Sequence, residues 1–264
     1  MNHALSYGEL AASAALVLLS AVLSLALQMG IARSMVTAAV RTVVQLLLVG
    51  LVLKKVFDIE SPVLVGLVMV AMLGTATWET LSRQQRRFKG PWGAGIGAAT
   101  TGIASVVVTA LAVATLHPTP WFAPAVTIPL FGVVLGNVMS SVSVTLNAFN
   151  MSLARERSAV EAMLALGAGR YEALAQVQRS ALRNGMIPII NQMSAAGVIT
   201  LPGMMTGQIL AGMSPLEAAK YQVFVLFLLC GASGLGALGA TLLAGWRATD
   251  ERHRLRLDRT ASRT

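Results

Sequence analysis

The chain has 264 residues, 55% hydrophobic and 12% charged, with a mean hydropathy of +0.70 and a formal net charge of +9. A soluble domain carries about 25% charged residues, and several uncharged runs here exceed the roughly 18 residues that mark a candidate membrane helix. The composition therefore excludes an ordinary soluble globule and indicates an all-α polytopic membrane protein. The positive charge is split among short loops and the C-terminus, as the positive-inside rule expects, so it is not read as a nucleic-acid footprint. A single cysteine, Cys230, leaves no intramolecular disulfide and no multi-cysteine metal site.

Seven membrane spans are expected in chain order. The first runs from about Leu10 to Met29. The region before it lacks Lys and Arg and carries Glu9, so it reads as a retained span rather than a signal peptide. The second is Ser34 to Leu53, the third Pro62 to Trp78 and the fourth Trp92 to Leu116. The fifth is Trp121 to Asn147, the sixth Met186 to Ala211 and the seventh Tyr221 to Trp246. Gly90-Pro91, the His117 to Pro120 loop and Ser214-Pro215 supply the breaks. Runs of this length argue for helices; barrel strands would be about ten residues long and alternate. Residues 1–247 form the membrane domain, and 248–264 a charged cytoplasmic tail that frays into solution or lies on headgroups. All four tryptophans, Trp78, Trp92, Trp121 and Trp246, fall at predicted span ends, where amphipathic rings sit at headgroup depth.

The segment 151–186 stands out. From Gly90 to Ala154 there is no Asp, Glu, Lys or Arg; then Arg155, Glu156, Arg157, Glu161, Arg170, Glu172, Arg179 and Arg183 follow, and charge vanishes again from Asn184 to Leu216. Such a segment cannot sit in hydrocarbon. Lys and Arg counts place it, the Arg83 to Lys89 loop and the tail on the cytoplasmic side, which puts the N-terminus outside and the C-terminus inside. Lys54 and Lys55 fit this less well, since they fall outside beside Asp58 and Glu60.

Polar residues inside spans are costly and face other helices or water. Thr37, Arg41 and Gln45 share one face of the second span. Arg41 either snorkels to the inner surface or finds a partner such as Glu79. In the fifth span Asn137, Ser140, Ser141, Thr145 and Asn147 lie within one broad arc, either as interhelical glue or as the lining of a polar path. The sixth span carries Asn191, Gln192 and Ser194, then Thr200, a mid-span Pro202-Gly203 pair and Gln208. Proline removes a backbone hydrogen bond and loosens the helix, and transporters place such breaks at substrate sites. The candidate path or gating residues are Arg41, Gln45, Asn137, Ser141, Asn191, Thr200, Pro202, Gly203 and Gln208.

No Lys follows a Gly anywhere, so there is no P-loop and no ATP site of that kind. No carboxylate lies within a span, which disfavours a self-sufficient proton antiporter. Thirteen methionines are more economically packing than ligands. No cofactor is expected and no metal ligands are assigned. No nucleophile–base constellation suggests an enzyme.

Glu161-Ala-Met-Leu-Ala-Leu-Gly-Ala-Gly169 resembles the coupling helix of ABC-transporter permeases: an acidic residue, small residues and a Gly six positions on. It departs from that pattern at Met163, and at Ile187-Pro188, which comes later than the usual Ile-x-Leu-Pro. The residues that would meet an ATPase are Glu161, Ala162, Leu166, Gly167, Ala168 and Gly169. The run Thr200-Leu-Pro-Gly-Met-Met-Thr-Gly-Gln-Ile-Leu-Ala-Gly-Met-Ser-Pro215 with Ala218 to Gln222, the Arg41-x-x-x-Gln45-Leu46 pattern with Gly50 and Phe57, and Asn137 through Ser143 are similar to the FetB-type iron-export permease family. That resemblance spans about Ala32 to Trp246. It implies a permease without its own ATPase, working with a FetA-like ATPase subunit as two permeases and two ATPases. It also implies iron export from the cytoplasm across the inner (plasma) membrane. Plant relatives are linked to aluminium tolerance and to nucleotide-sugar transport, so the resemblance leaves the substrate open. A partner-free carrier or channel, and a non-transporting scaffold, are the other readings of the residues themselves.

Overall fold

Proline sets where four of the long helices begin. It occupies the first turn, where the missing N–H has no intrahelical partner to lose, at Pro62, Pro91, Pro124 and Pro215. The computed structural model describes residues 7–28, 30–59, 61–250, 252 and 254–262. The expected span end at Met29, Glu60, and the tail residues Glu251, His253, Arg263 and Thr264 lie outside them.

Helices α1 (Tyr7–Ala26) and α2 (Ala32–Ile59) pack on each other and form a first unit, Met1–Glu60. The second unit, Ser61–Thr264, holds α3 (Pro62–Arg83), α4 (Pro91–Leu116), α5 (Pro124–Arg155), α6 (Arg157–Ala165), α7 (Arg170–Ala195), α8 (Gly203–Leu210) and α9 (Pro215–Ala248). Among the described residues five helices, α2, α3, α4, α5 and α9, are long and apolar enough to cross a membrane. The first predicted span is α1, whose apolar part, Ala11–Ala26, is shorter. The sixth is divided between α7 and α8.

Helix α5 is the axis of the second unit, packed against α3, α4, α7 and α9. Val134, Val138, Val142, Leu146, Phe149 and Leu153 recur at the helical period and are fully buried. They meet Leu174, Val177 and Ala181 of α7 and Leu229, Ala232 and Ala240 of α9 in one core. Without a hydrophobic drive between helices in lipid, close approach through small residues carries the packing. Gly185 of α7 shows this: a Cβ there would overlap the Thr145 hydroxyl and lie 2.9 Å from the Ser141 carbonyl.

Two expectations are revised by the fold. The sixth span does not merely kink at Pro202-Gly203; α7 stops at Ala195. The Ala195 carbonyl accepts from the Ile199 (2.9 Å) and Thr200 (3.0 Å) N–H groups, closing a tight turn through Gly197 at φ +81°. Pro202 then stands as the N-cap residue of α8. Nor does the described part of the tail fray. Strands β1 (Arg86–Phe88) and β2 (Thr260–Ser262) pair antiparallel, with Arg87 opposite Ala261. Arg86 Nε donates to Thr260 Oγ1 (2.9 Å), and the Lys89 N–H donates to the Arg259 carbonyl (2.8 Å).

Candidate functional site

The charged segment 151–186 is not one loop. It is the end of α5, the short helix α6 and most of α7, and no helix boundary falls at Met186 where the sixth span was expected to start. Along α7, Ala173, Leu174, Val177, Ala181, Gly185 and Ile189 form a continuous buried stripe. Only the outer face changes character, from exposed Arg179 and Arg183 to exposed Ile187 and Ile190. The uncharged stretch from Met186 to Ala195 is about 15 Å of helix at 1.5 Å per residue, half the ~30 Å hydrocarbon core. The chain then leaves helical geometry.

Helix α6 hangs between the two long helices. Val160 is buried and Leu164 packs on the core, one turn apart on one face. The opposite face carries Ala162 and Met163, and then Leu166, which is 88% exposed. Its end is a Schellman cap: the Ala168 N–H donates to the Met163 carbonyl (3.0 Å) and the Gly167 N–H to the Leu164 carbonyl (3.1 Å). The cap requires a left-handed residue, and Gly167 supplies it at φ +91°. Glu161 pairs with Arg157 one turn back (2.8 Å), with both side chains largely solvated. Gly169 is the N-cap of α7, so Glu161 to Gly169 forms a single exposed knuckle.

The candidate path residues are not gathered in one place. Arg41 and Gln45 are exposed on α2 in the first unit. On α5, Asn137 is half-buried and its side-chain amide donates to the Val133 carbonyl (2.9 Å), whereas Ser141 is buried beside Gly185. Asn191 is exposed near the end of α7, Thr200 is exposed in the break, and Gly203 opens α8. Gln208 lies on α8, which packs on α9, and its Oε1 is buried without a partner among the described residues; so is Oε1 of Gln222 on α9. Asn147, grouped by its spacing with the polar arc, instead accepts from the Gln85 N–H (3.0 Å), and Asn150 Nδ2 donates to the Arg86 carbonyl (3.1 Å). These two asparagines, one turn apart, fasten the loop after α3 to α5. Among the described residues no three His, Cys, Asp or Glu side chains cluster as metal ligands.

Where α3 begins, α4 ends and α5 begins lies an apolar cavity of about 720 Å³, walled by Val65, Met69, Val113, Trp121 and Phe122. At the opposite end, Trp92 and Trp246 pack with their rings tilted by 54° and centroids 5.5 Å apart, and the Arg247 guanidinium lies 4.8 Å from the Trp92 ring centre.

Residues 7–248 match the family described as "Uncharacterised protein family (UPF0014)", and the chain belongs to that family. It is 36% identical over 207 residues to a UPF0014 membrane protein of Synechocystis, covering 76% of this chain and 77% of the relative. It is 29% identical over 257 residues to the "Probable iron export permease protein FetB" of Escherichia coli, covering 96% of each. It is 30% identical over 233 residues to the protein ALUMINUM SENSITIVE 3 of Arabidopsis thaliana, covering 88% of this chain and 84% of the relative. No solved structure is significantly similar to the chain.

Proposed function

We propose that this chain is the membrane permease of an ATP-driven exporter whose ATPase is a separate subunit gripping Glu161 to Gly169. The observation that carries the reading is the exposure of Leu166 at the tip of α6. A leucine standing 88% exposed at the end of a short helix in the charged segment 151–186 gains almost nothing from its own fold, and a protein cleft would cover it. The knuckle is rooted in the two helices that matter for transport. α5 is the axis of the core, and α7 leads directly into the break at Ala195. A push on α6 is thus transmitted through packed elements to the α7–α8 break, where backbone outside helical geometry is tolerated if it lines a cavity or is buried in protein. In this reading the chain has N-terminus out and C-terminus in, and assembles as two permeases with two ATPases.

The cargo is taken as iron, by analogy with the Escherichia coli relative. The amide oxygens of Gln208 and Gln222, buried without a partner among the described residues, are the groups that weak, transient contacts with the cargo would use.

The test is recovery of an ATPase with the tagged permease from membranes. Glu161→Lys and Gly167→Trp should abolish recovery while leaving the permease folded in detergent. Wild-type recovery by both would remove the docking site from Glu161 to Gly169. ATP-independent transport by the purified chain in liposomes would replace the reading with a partner-free carrier.

A further inference from the structure

We infer that the arginine-lined pocket where α7 begins and α9 ends is a phosphate-binding site, and that a phosphate of an anionic lipid headgroup is its occupant. The pocket, about 360 Å³, is walled by Arg170, Arg247, Arg252, Arg254 and Arg259, with Trp246, Thr249 and Asp250 completing the lining.

The charge balance carries the argument. Asp250 is already committed: its carboxylate accepts from the backbone N–H groups of Arg252 (3.0 Å) and Arg254 (2.9 Å) and pairs with the Arg254 guanidinium (2.8 Å). Among the described residues, Arg170, Arg247, Arg252 and Arg259 then face the same space without an ion pair. Arg259 Nη1 donates to the Arg247 (3.0 Å) and Thr249 (3.3 Å) carbonyls, which holds it in place; the carboxylate that acts on it, Asp258, is already forked by Arg256. The Arg247 Nε is buried with no hydrogen-bond partner among the described residues. Guanidinium groups held this close repel one another unless an anion sits between them, and their planar forks match the oxygens of a phosphate.

Two further features fix the kind of anion. The α7 N-terminus opens at the pocket, with no side chain capping its first N–H groups, and a helix N-terminus favours a phosphate. The wall is also shared with Trp246, packed at a tilt against Trp92, so one side of the pocket faces the depth at which headgroup phosphates lie. Basic side chains at that depth attract anionic lipid. The assignment does not depend on the ATPase reading.

The experiment is native mass spectrometry of the purified full chain incubated with phosphatidylglycerol or phosphatidylcholine, with inorganic phosphate as competitor. The wild type should retain phosphatidylglycerol about tenfold more tightly than phosphatidylcholine. Arg170→Gln/Arg252→Gln should lose that preference, and Arg252→Gln alone, outside any helix, should weaken it if the double variant fails to fold. Displacement of the lipid by inorganic phosphate supports the phosphate site. Binding of inorganic phosphate by the wild type but not the variant, with no lipid preference, keeps the site and assigns it to free phosphate. Equal retention of the two lipids without phosphate binding, or an unchanged preference in a folded variant, overturns the proposal.

Discussion

Gly185 of α7 lies so close to Thr145 of α5 that the two helices meet backbone to side chain with no room for a methyl group between them. The Thr145 hydroxyl is itself buried and unpaired among the described residues. The contact joins the helix that ends in the α6 knuckle to the helix that ends in the α8 break, so its tightness bears on both stability and coupling.

Gly185→Leu should therefore destabilise the protein by about 1–3 kcal/mol or more, the usual cost of overpacking a close contact. Gly185→Ala should be milder, because alanine gains roughly 1 kcal/mol of helix propensity over glycine. Thr145→Ala removes the nearest obstruction, so it should partly rescue Gly185→Ala. The Ser141 carbonyl, 2.9 Å from the added Cβ, keeps the rescue incomplete. Thermal unfolding of the four proteins in one detergent measures the coupling as a double-mutant cycle.

Leu166→Ser should leave the melting temperature unchanged, since the side chain buries almost nothing. It should nonetheless lower ATPase recovery severalfold. Gly167→Val acts differently. A β-branched residue at φ +91° costs on the order of 1–2 kcal/mol and unwinds the Schellman cap. The loss should appear as faster hydrogen exchange in α6, with α5 and α9 unaffected. Normal ATPase recovery by Leu166→Ser would mean that the exposed leucine is not the contact.

Much of this architecture was legible in uncharged runs and prolines, because a membrane imposes length and charge rules a sequence must obey. The end of α4 at Leu116 was read to the residue. What escaped was anything set by which helix covers which. Ser141 and Thr145 share an arc with Asn137, yet the former two pack against Gly185 while Asn137 satisfies itself on its own helix. Periodicity gives an angle around a helix axis but not the neighbour at that angle. The charge step at Met186 looked like a helix end. It is only a change of surroundings along one helix, whose buried stripe runs through it unbroken. The pairing of Arg87 with Ala261 joins three-residue strands far apart in sequence, too short for an alternation signal to register.

The β1–β2 ladder should hold the tail against proteolysis. Ala261→Pro places a residue without an N–H in a strand opposite Arg87. Trypsin should then cut after Arg254 and Arg256 at least severalfold faster than in the wild type, with the core melting temperature little changed. Asn150→Ala, which removes the clamp on the Arg86 carbonyl, should act in the same direction from the other strand. Equal cleavage rates in all three proteins would show that the ladder does not restrain the tail.

Acid should release the same tail. The Arg256 guanidinium donates to both carboxylate oxygens of Asp258 (2.9 and 2.8 Å) and draws its pKa from 3.8 down to about 2. A carboxylate whose folded pKa is depressed stabilises the fold above its unfolded value and loses that contribution as protons bind. The Asp258 contribution is thus fully present above about pH 4 and disappears as pH falls from 3.8 through about 2. Asp250, lowered first by the Arg254 backbone N–H, loses its contribution in the same direction. Asp258 is largely solvated and Asp250 mostly covered; both lie in the tail, so the effect is confined there, and at Asp258 it is screened by salt. Carboxyl carbon NMR of selectively labelled Asp should place the Asp258 midpoint near 2 in the wild type and near the ordinary carboxylate value in Arg256→Gln. An unshifted midpoint in the wild type would mean that the Arg256–Asp258 fork does not persist in solution.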